Sequence, residues 1–114
     1  MCGIAGCIGT KDTRTINRML DALPHRGPND RGIHEYEHGV FGHTRLSIVD
    51  VAKGHQPIVV NDGKTAIICN GEVYNFKKLR TKLSSKYRFK TKSDSETILR
   101  LYQEKGPACV QELN

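Results

Sequence analysis

The residue best placed to do chemistry by position alone is Cys2, which follows the initiator methionine. Aminopeptidases remove Met1 when the second residue is small, and that would leave a thiol beside a free α-amine. A free thiol titrates at about 8.5 and an α-amine at about 7.7–8.0, so the amine can take the thiol proton near neutral pH. One residue would then be both nucleophile and base, a known variant of nucleophilic catalysis. The other cysteines, Cys7, Cys69 and Cys109, sit in apolar runs and read as small buried hydrophobes. No two are spaced C-x-x-C, and no metal site is expected. His34, His38, His43 and His55 read as surface or turn histidines. Asn70-Gly71 follows the apolar run Thr65–Cys69 and precedes a helical pattern, so it joins a strand to a helix and is more than a hairpin turn.

Composition narrows the setting. The 114 residues are 37% hydrophobic and 26% charged, ordinary for a globular chain. A complete domain of this size would bury roughly two thirds of its unfolded surface. No apolar run nears the roughly 18 residues of a membrane span, and no secretory signal is visible. The chain is therefore expected in the cytoplasm, away from membranes. Eighteen Lys and Arg against twelve Asp and Glu give a net charge of +6. The positives are dispersed, densest from Lys77 to Lys92 on an amphipathic helix and the segment after it. A solvated face explains them, and no nucleic-acid partner is expected.

The elements that must position these residues are short. Residues 3–8 read as a buried strand rich in small residues. Ile16, Met19, Leu20 and Leu23 mark one helix face, stopped at Pro24. Residues 25–32, with two Gly, a Pro, Asn and Asp, read as an ordered loop outside regular structure. Residues 33–36 and 40–46 form a hairpin across His38-Gly39, and Ile58–Val60 with Thr65–Cys69 form another across Asn61-Asp62-Gly63. Phe76, Leu79 and Leu83 share a helix face, and residues 87–91 read as a short strand. Ser93 and Glu96 have capping-box spacing, opening a helix with Ile98, Leu99, Leu101 and Tyr102 on its buried face. Gly106-Pro107 stops it. The class is α+β, with short, mostly antiparallel strands and three helices.

Five segments, in order, resemble the glutaminase domain of glutamine-dependent asparagine synthetases, which are class II glutamine amidotransferases. They are Met1-Cys2-Gly3-Ile4-Ala5-Gly6, His25-Arg26-Gly27-Pro28-Asn29-Asp30, Thr44-Arg45-Leu46-Ser47-Ile48-Val49-Asp50, Asn70-Gly71-Glu72-Val73-Tyr74-Asn75 and Ser93-Asp94-Ser95-Glu96. The resemblance implies an N-terminal-nucleophile hydrolase, a four-layer αββα sandwich that is incomplete here. Residues 1–114 would be the N-terminal part of the glutaminase domain, without the synthetase domain.

The same resemblance assigns roles. Cys2 attacks the glutamine side-chain amide and forms a γ-glutamyl thioester, and ammonia leaves for the synthetase domain. Asn70 and Gly71 supply the oxyanion hole, where each donor counts for roughly 100- to 1000-fold in rate. Arg45, whose planar fork fits a carboxylate, takes the glutamine α-carboxylate with Leu46, Ile48 and Val49 lining the pocket. Asp94 and Glu72 take the α-ammonium, although both also read as helix-start acids. Tyr74 and Asn75 are expected to position the Asn70 loop, and residues 25–30 to support or cover the pocket. No cofactor is expected in this chain; ATP and Mg2+ belong with the synthetase domain and its aspartate acceptor. A homodimer is left open. The alternatives are a related amidotransferase with a different acceptor, or an inactive fragment serving as an interaction module.

Overall fold

A computed structural model describes residues 1–46, 54–61 and 63–114. Ile48 and Val49, and Asp62 of the second expected turn, lie outside the described residues.

The first sheet has three antiparallel strands: β1 (Gly3–Ile8), β2 (Asp30–Tyr36) and β3 (Gly39–Arg45). Their order is β1-β3-β2. β3 pairs Gly39 to Thr44 with Ile8 to Gly3, and Gly39 to Arg45 with Tyr36 to Asp30. The expected hairpin is thus present, but its turn is Glu37-His38: Gly39 already pairs with Tyr36 as the first residue of β3. Helix α1 (Thr13–Asp21) begins at Asp12, whose carboxylate accepts from Thr15 N at 2.9 Å, and ends before Pro24. Its Ile16 and Leu20 pack on Val40, with Ala5, Cys7 and Ile33 around them. Arg31 of β2 reaches back to this helix, bonding Asp21 and Asn17.

Strand alternation sends the neighbours of those residues to the opposite face. There Gly32, His34 and His43 meet Gln56, Gly63 and Cys69, respectively. These belong to the second hairpin and its flanks: β4 (Ile58–Val60) pairs antiparallel with β5 (Thr65–Ile67). Asn61 (φ 54°) and Gly63 (φ 89°) take the left-handed conformations such a turn requires. Helix α3 (Asp94–Lys105) packs Leu99 on Ile58 and Val60, with Ile67 alongside. Helix α2 (Phe76–Leu83) buries Leu79 and Leu83 with Val73, Leu101 and Cys109, the last from a 3-10 helix over Gly106–Glu112.

Several expectations change. β1 is only half covered, because an apolar run has two apolar faces and α1 takes just one. Ala5 and Cys7 face α1, while Ile4 is 48% and Ile8 82% exposed. Met19 and Tyr102, expected on buried helix faces, are also largely exposed. The loop expected over 25–32 stops early: Asp30, Arg31 and Gly32 already pair with β3, so ladder bonding overrides their turn-like composition.

Residues 87–91 form no strand. Their backbone groups bond to helix side chains instead. Glu96 accepts from Lys90 N and Thr91 N, and Arg100 donates to Arg88 O at 2.7 Å. Arg80 donates to Thr91 O. This also alters the expected capping box. Ser93 caps α3 by accepting from Ser95 N, but Glu96 is committed to residues 90–91, and Ser93 N donates to Thr91 Oγ1.

Candidate active site

A cavity of about 800 Å3 opens between the end of β3, the loop from Cys69 to Phe76 and the start of α3. Cys2, Arg45 and Leu46 line one side. Asn70, Gly71 and Glu72 line another, and Asp94 and Ser95 a third. Every described residue expected at the site therefore faces one cavity.

The first side follows from the sheet register. Gly3 pairs with Thr44, so Cys2, one residue earlier, lies alongside Arg45 and Leu46. Its thiol is 4.0 Å from the Leu46 carbonyl. Arg45 is buried at the end of β3, where its carbonyl accepts from Asn29 N at 3.0 Å. Gly27 presses on the same backbone: a Cβ there would lie 2.4 Å from Arg45 N. The 25–30 segment thus supports the Arg45 strand, and His25 and Arg26 do not line the cavity. Behind Arg45, Asp30 bonds His55 at 2.5 Å. Burial works against its carboxylate. The His55 hydrogen bond, the Arg31 N–H and the nearby Arg45 charge outweigh burial and hold the Asp30 pKa below its ordinary value.

The second side is a short span held at both ends. At one end, the buried Gln56 side chain accepts from Cys69 N at 2.6 Å and donates to Cys69 O at 3.3 Å. His43 Nε2 reaches the same carbonyl at 3.4 Å. At the other end, Val73 is in the core and its N–H donates to Asp94 Oδ2 at 2.8 Å. Asn70, Gly71 and Glu72 lie between these anchors, exposed to the cavity. Asp94 Oδ1 accepts from Ser95 N at 2.8 Å. The expected helix-start role of Asp94 and its place at the cavity therefore coexist.

Three expectations are corrected here. His43 is no surface histidine; it is fully buried. Burial lowers its pKa, and the Arg45 charge lowers it further against the bond to Cys69 O. The ring is then neutral with its proton on Nε2, since a carbonyl only accepts. Cys69 is half-buried on the cavity wall rather than in the core. Burial raises its pKa and outweighs the hydrogen bond with Ser95, which acts the other way, and the nearby Asp94 and Cys2 add to the rise, so it stays a thiol at neutral pH. Tyr74 is 79% exposed and packs on nothing in the core, whereas Asn75 ties the loop to residues 112–114 through Glu112 O and Asn114 N.

Gln56 gave no signal in the sequence, because a loop amide follows no periodicity. His43 did have one: it lies two residues before Arg45 on an expected strand, hence on the same face. Lys77 and Lys92 also line the cavity. With Arg45, Glu72 and Asp94 they give it both charge signs, as a zwitterionic ligand needs.

Residues 1–114 match the family model for a glutamine amidotransferase domain. The chain is 42% identical over 120 residues to asparagine synthetase B (glutamine-hydrolysing) of Escherichia coli, covering 99% of this chain and 21% of that protein. It is 49% identical over 92 residues to a probable asparagine synthetase of Schizosaccharomyces pombe, covering 81% of this chain and 16% of that protein. Against asparagine synthetase 2 of Bacillus subtilis the identity is 39% over 120 residues, covering 99% and 16%. The chain thus spans about a fifth or less of these relatives' length.

Proposed function

The chain belongs to the glutamine amidotransferase domain family, and from that premise we propose that it hydrolyses the side-chain amide of L-glutamine with Cys2 as nucleophile. The observation that carries this reading is the convergence of Cys2, Arg45, Asn70-Gly71 and Asp94 on one cavity.

With Met1 removed, the Cys2 α-amine takes the thiol proton and the sulfur attacks the amide carbon. Negative charge gathers on the former amide oxygen, which accepts from Asn70 Nδ2 and Gly71 N. The ammonium of Cys2 returns its proton to the leaving nitrogen, ammonia departs, and a γ-glutamyl thioester remains. Water, deprotonated by the same amine, attacks the thioester and releases glutamate and the thiol. Arg45 binds the substrate α-carboxylate, with Leu46 beside it on the cavity wall. Glu72 and Asp94 take the α-ammonium. Asp94 already accepts two backbone N–H groups, but an ionised carboxylate has about four acceptor sites, so room remains.

The relatives named as glutamine-hydrolysing asparagine synthetases support a link between this glutaminase step and asparagine synthesis. On this proposal the ammonia passes to an aspartate acceptor in an ATP-dependent synthetase region of a longer, cytoplasmic enzyme. The order of α1, first sheet, hairpin and α3 is in keeping with part of an αββα sandwich of the N-terminal-nucleophile type. The test is to supply L-glutamine and measure ammonia and glutamate. Equal release of both, lost in Cys2→Ala with the fold retained, is the expected result; glutamine left intact by the Met1-processed protein would overturn the reading.

A further inference from the structure

We propose that Gln56 is a positioning residue for the oxyanion donors, acting through the peptide of Cys69. The inference rests on the glutaminase reading and adds to it the element that fixes the Asn70-Gly71 geometry.

Asn70 and Gly71 are in a span without regular secondary structure, yet an oxyanion hole works only when its donors are held in place. A strand would ordinarily do that through ladder bonds, but β5 ends at Ile67, two residues before Cys69. Gln56 takes the part of a ladder partner for Cys69 among the described residues. Its amide bonds both the N–H and the carbonyl of Cys69, as a paired strand residue would. His43, neutral and protonated on Nε2, adds a second donor to that carbonyl.

The clamp is itself packed in place. Gln56 is buried, and its own backbone is pressed against β2, since a Cβ on Gly32 would lie 1.9 Å from Gln56 O. The rigidity of the three-stranded sheet is thereby passed to Cys69, the residue directly before Asn70. The far end of the span is fixed separately, by Val73 N on Asp94. Gln56 therefore governs the oxyanion end of the site, and Asp94 the ammonium end.

Two variants of the full chain test this. Gln56→Ala removes both bonds. Gln56→Glu keeps the size and can still accept from Cys69 N, but sets a carboxylate oxygen against the Cys69 carbonyl. Misplacing a catalytic group by about 1 Å can cost about a hundredfold, so kcat is expected to fall roughly ten- to a hundredfold with KM for glutamine little changed. Alkylation of Cys2 by iodoacetamide, which forms no oxyanion, should keep its wild-type rate. Deuterium exchange at the Cys69 amide should accelerate in Gln56→Ala, a readout independent of turnover and of the fate of the other variant.

A wild-type kcat in both variants, or unchanged Cys69 exchange, would overturn the proposal while leaving the glutaminase reading intact. A rise in KM matching the fall in kcat/KM would also overturn it, by placing Gln56 on the substrate instead. A wild-type protein without glutaminase activity would remove the premise, and the proposal with it.

Discussion

Asp94 accepts the Val73 backbone N–H at 2.8 Å, which joins the first turn of α3 to the span carrying Asn70 and Gly71. The same carboxylate faces the cavity that Cys2 and Arg45 line. One side chain thus both holds the loop and presents its charge to the cavity, where the proposed function needs a partner for the α-ammonium.

Asp94→Asn should weaken glutamine binding. An amide offers one acceptor oxygen, while Val73 N and Ser95 N both donate into this side chain. One bond would become N–H against N–H, and the charge facing the α-ammonium would be gone. A hydrogen bond to a charged group contributes about 1.5–3 kcal/mol, so KM should rise roughly ten- to a hundredfold. Steady-state kinetics over a range of glutamine concentrations checks this; an unchanged KM would remove Asp94 from the binding site.

Glu96→Gln should destabilise the fold. Glu96 is fully buried, 3.2 Å from Arg100, and accepts from Lys90 N, Thr91 N and Thr91 Oγ1. Removing one partner of a buried pair leaves the other charge uncompensated, at a cost of about 3–5 kcal/mol. Urea titration of both proteins measures it. A midpoint equal to wild type would mean that Glu96 does not organise residues 87–91.

How far the sequence reached can be judged on these same residues. The grouping of Cys2, Arg45, Asn70, Gly71 and Asp94 at one cavity was legible from the ordered motifs that carry the family resemblance, since each residue taken singly has a plain structural use. Both hairpins and all three helices were legible from periodicity and turn residues. Residues 87–91 were not, because an extended segment bonded to Glu96, Arg100 and Arg80 has the same composition as a strand. Gln56 was invisible for a related reason: its partner is a backbone peptide 13 residues away, which leaves no pattern in either segment. His43 was misread because histidine type alone favours the surface, although its register with Arg45 put it on the covered face.

His43 should give stability a pH dependence. Burial holds its folded-state pKa below the ordinary 6.5, so on acidification the unfolded chain takes up its proton first. The stabilisation is complete above that unfolded value and declines as pH falls from there towards the folded one. Asp30, whose carboxylate is held below 3.8, loses its contribution only in stronger acid. Melting temperatures at about pH 7.5 and about pH 5 should therefore differ, and His43→Gln should reduce the difference. An undiminished slope in that variant would assign the effect to other groups.

The most direct test is labelling with the glutamine-like electrophile diazo-oxo-norleucine, followed by intact mass and peptide mapping. Two thiols line the cavity, and Cys69 is held as a thiol by burial. The predicted result is a protein lacking Met1 that carries a single adduct on Cys2, with excess glutamine slowing the reaction. An adduct on Cys69 or Cys7, or an unlabelled Cys2 in protein already freed of Met1, would contradict Cys2 as the nucleophile.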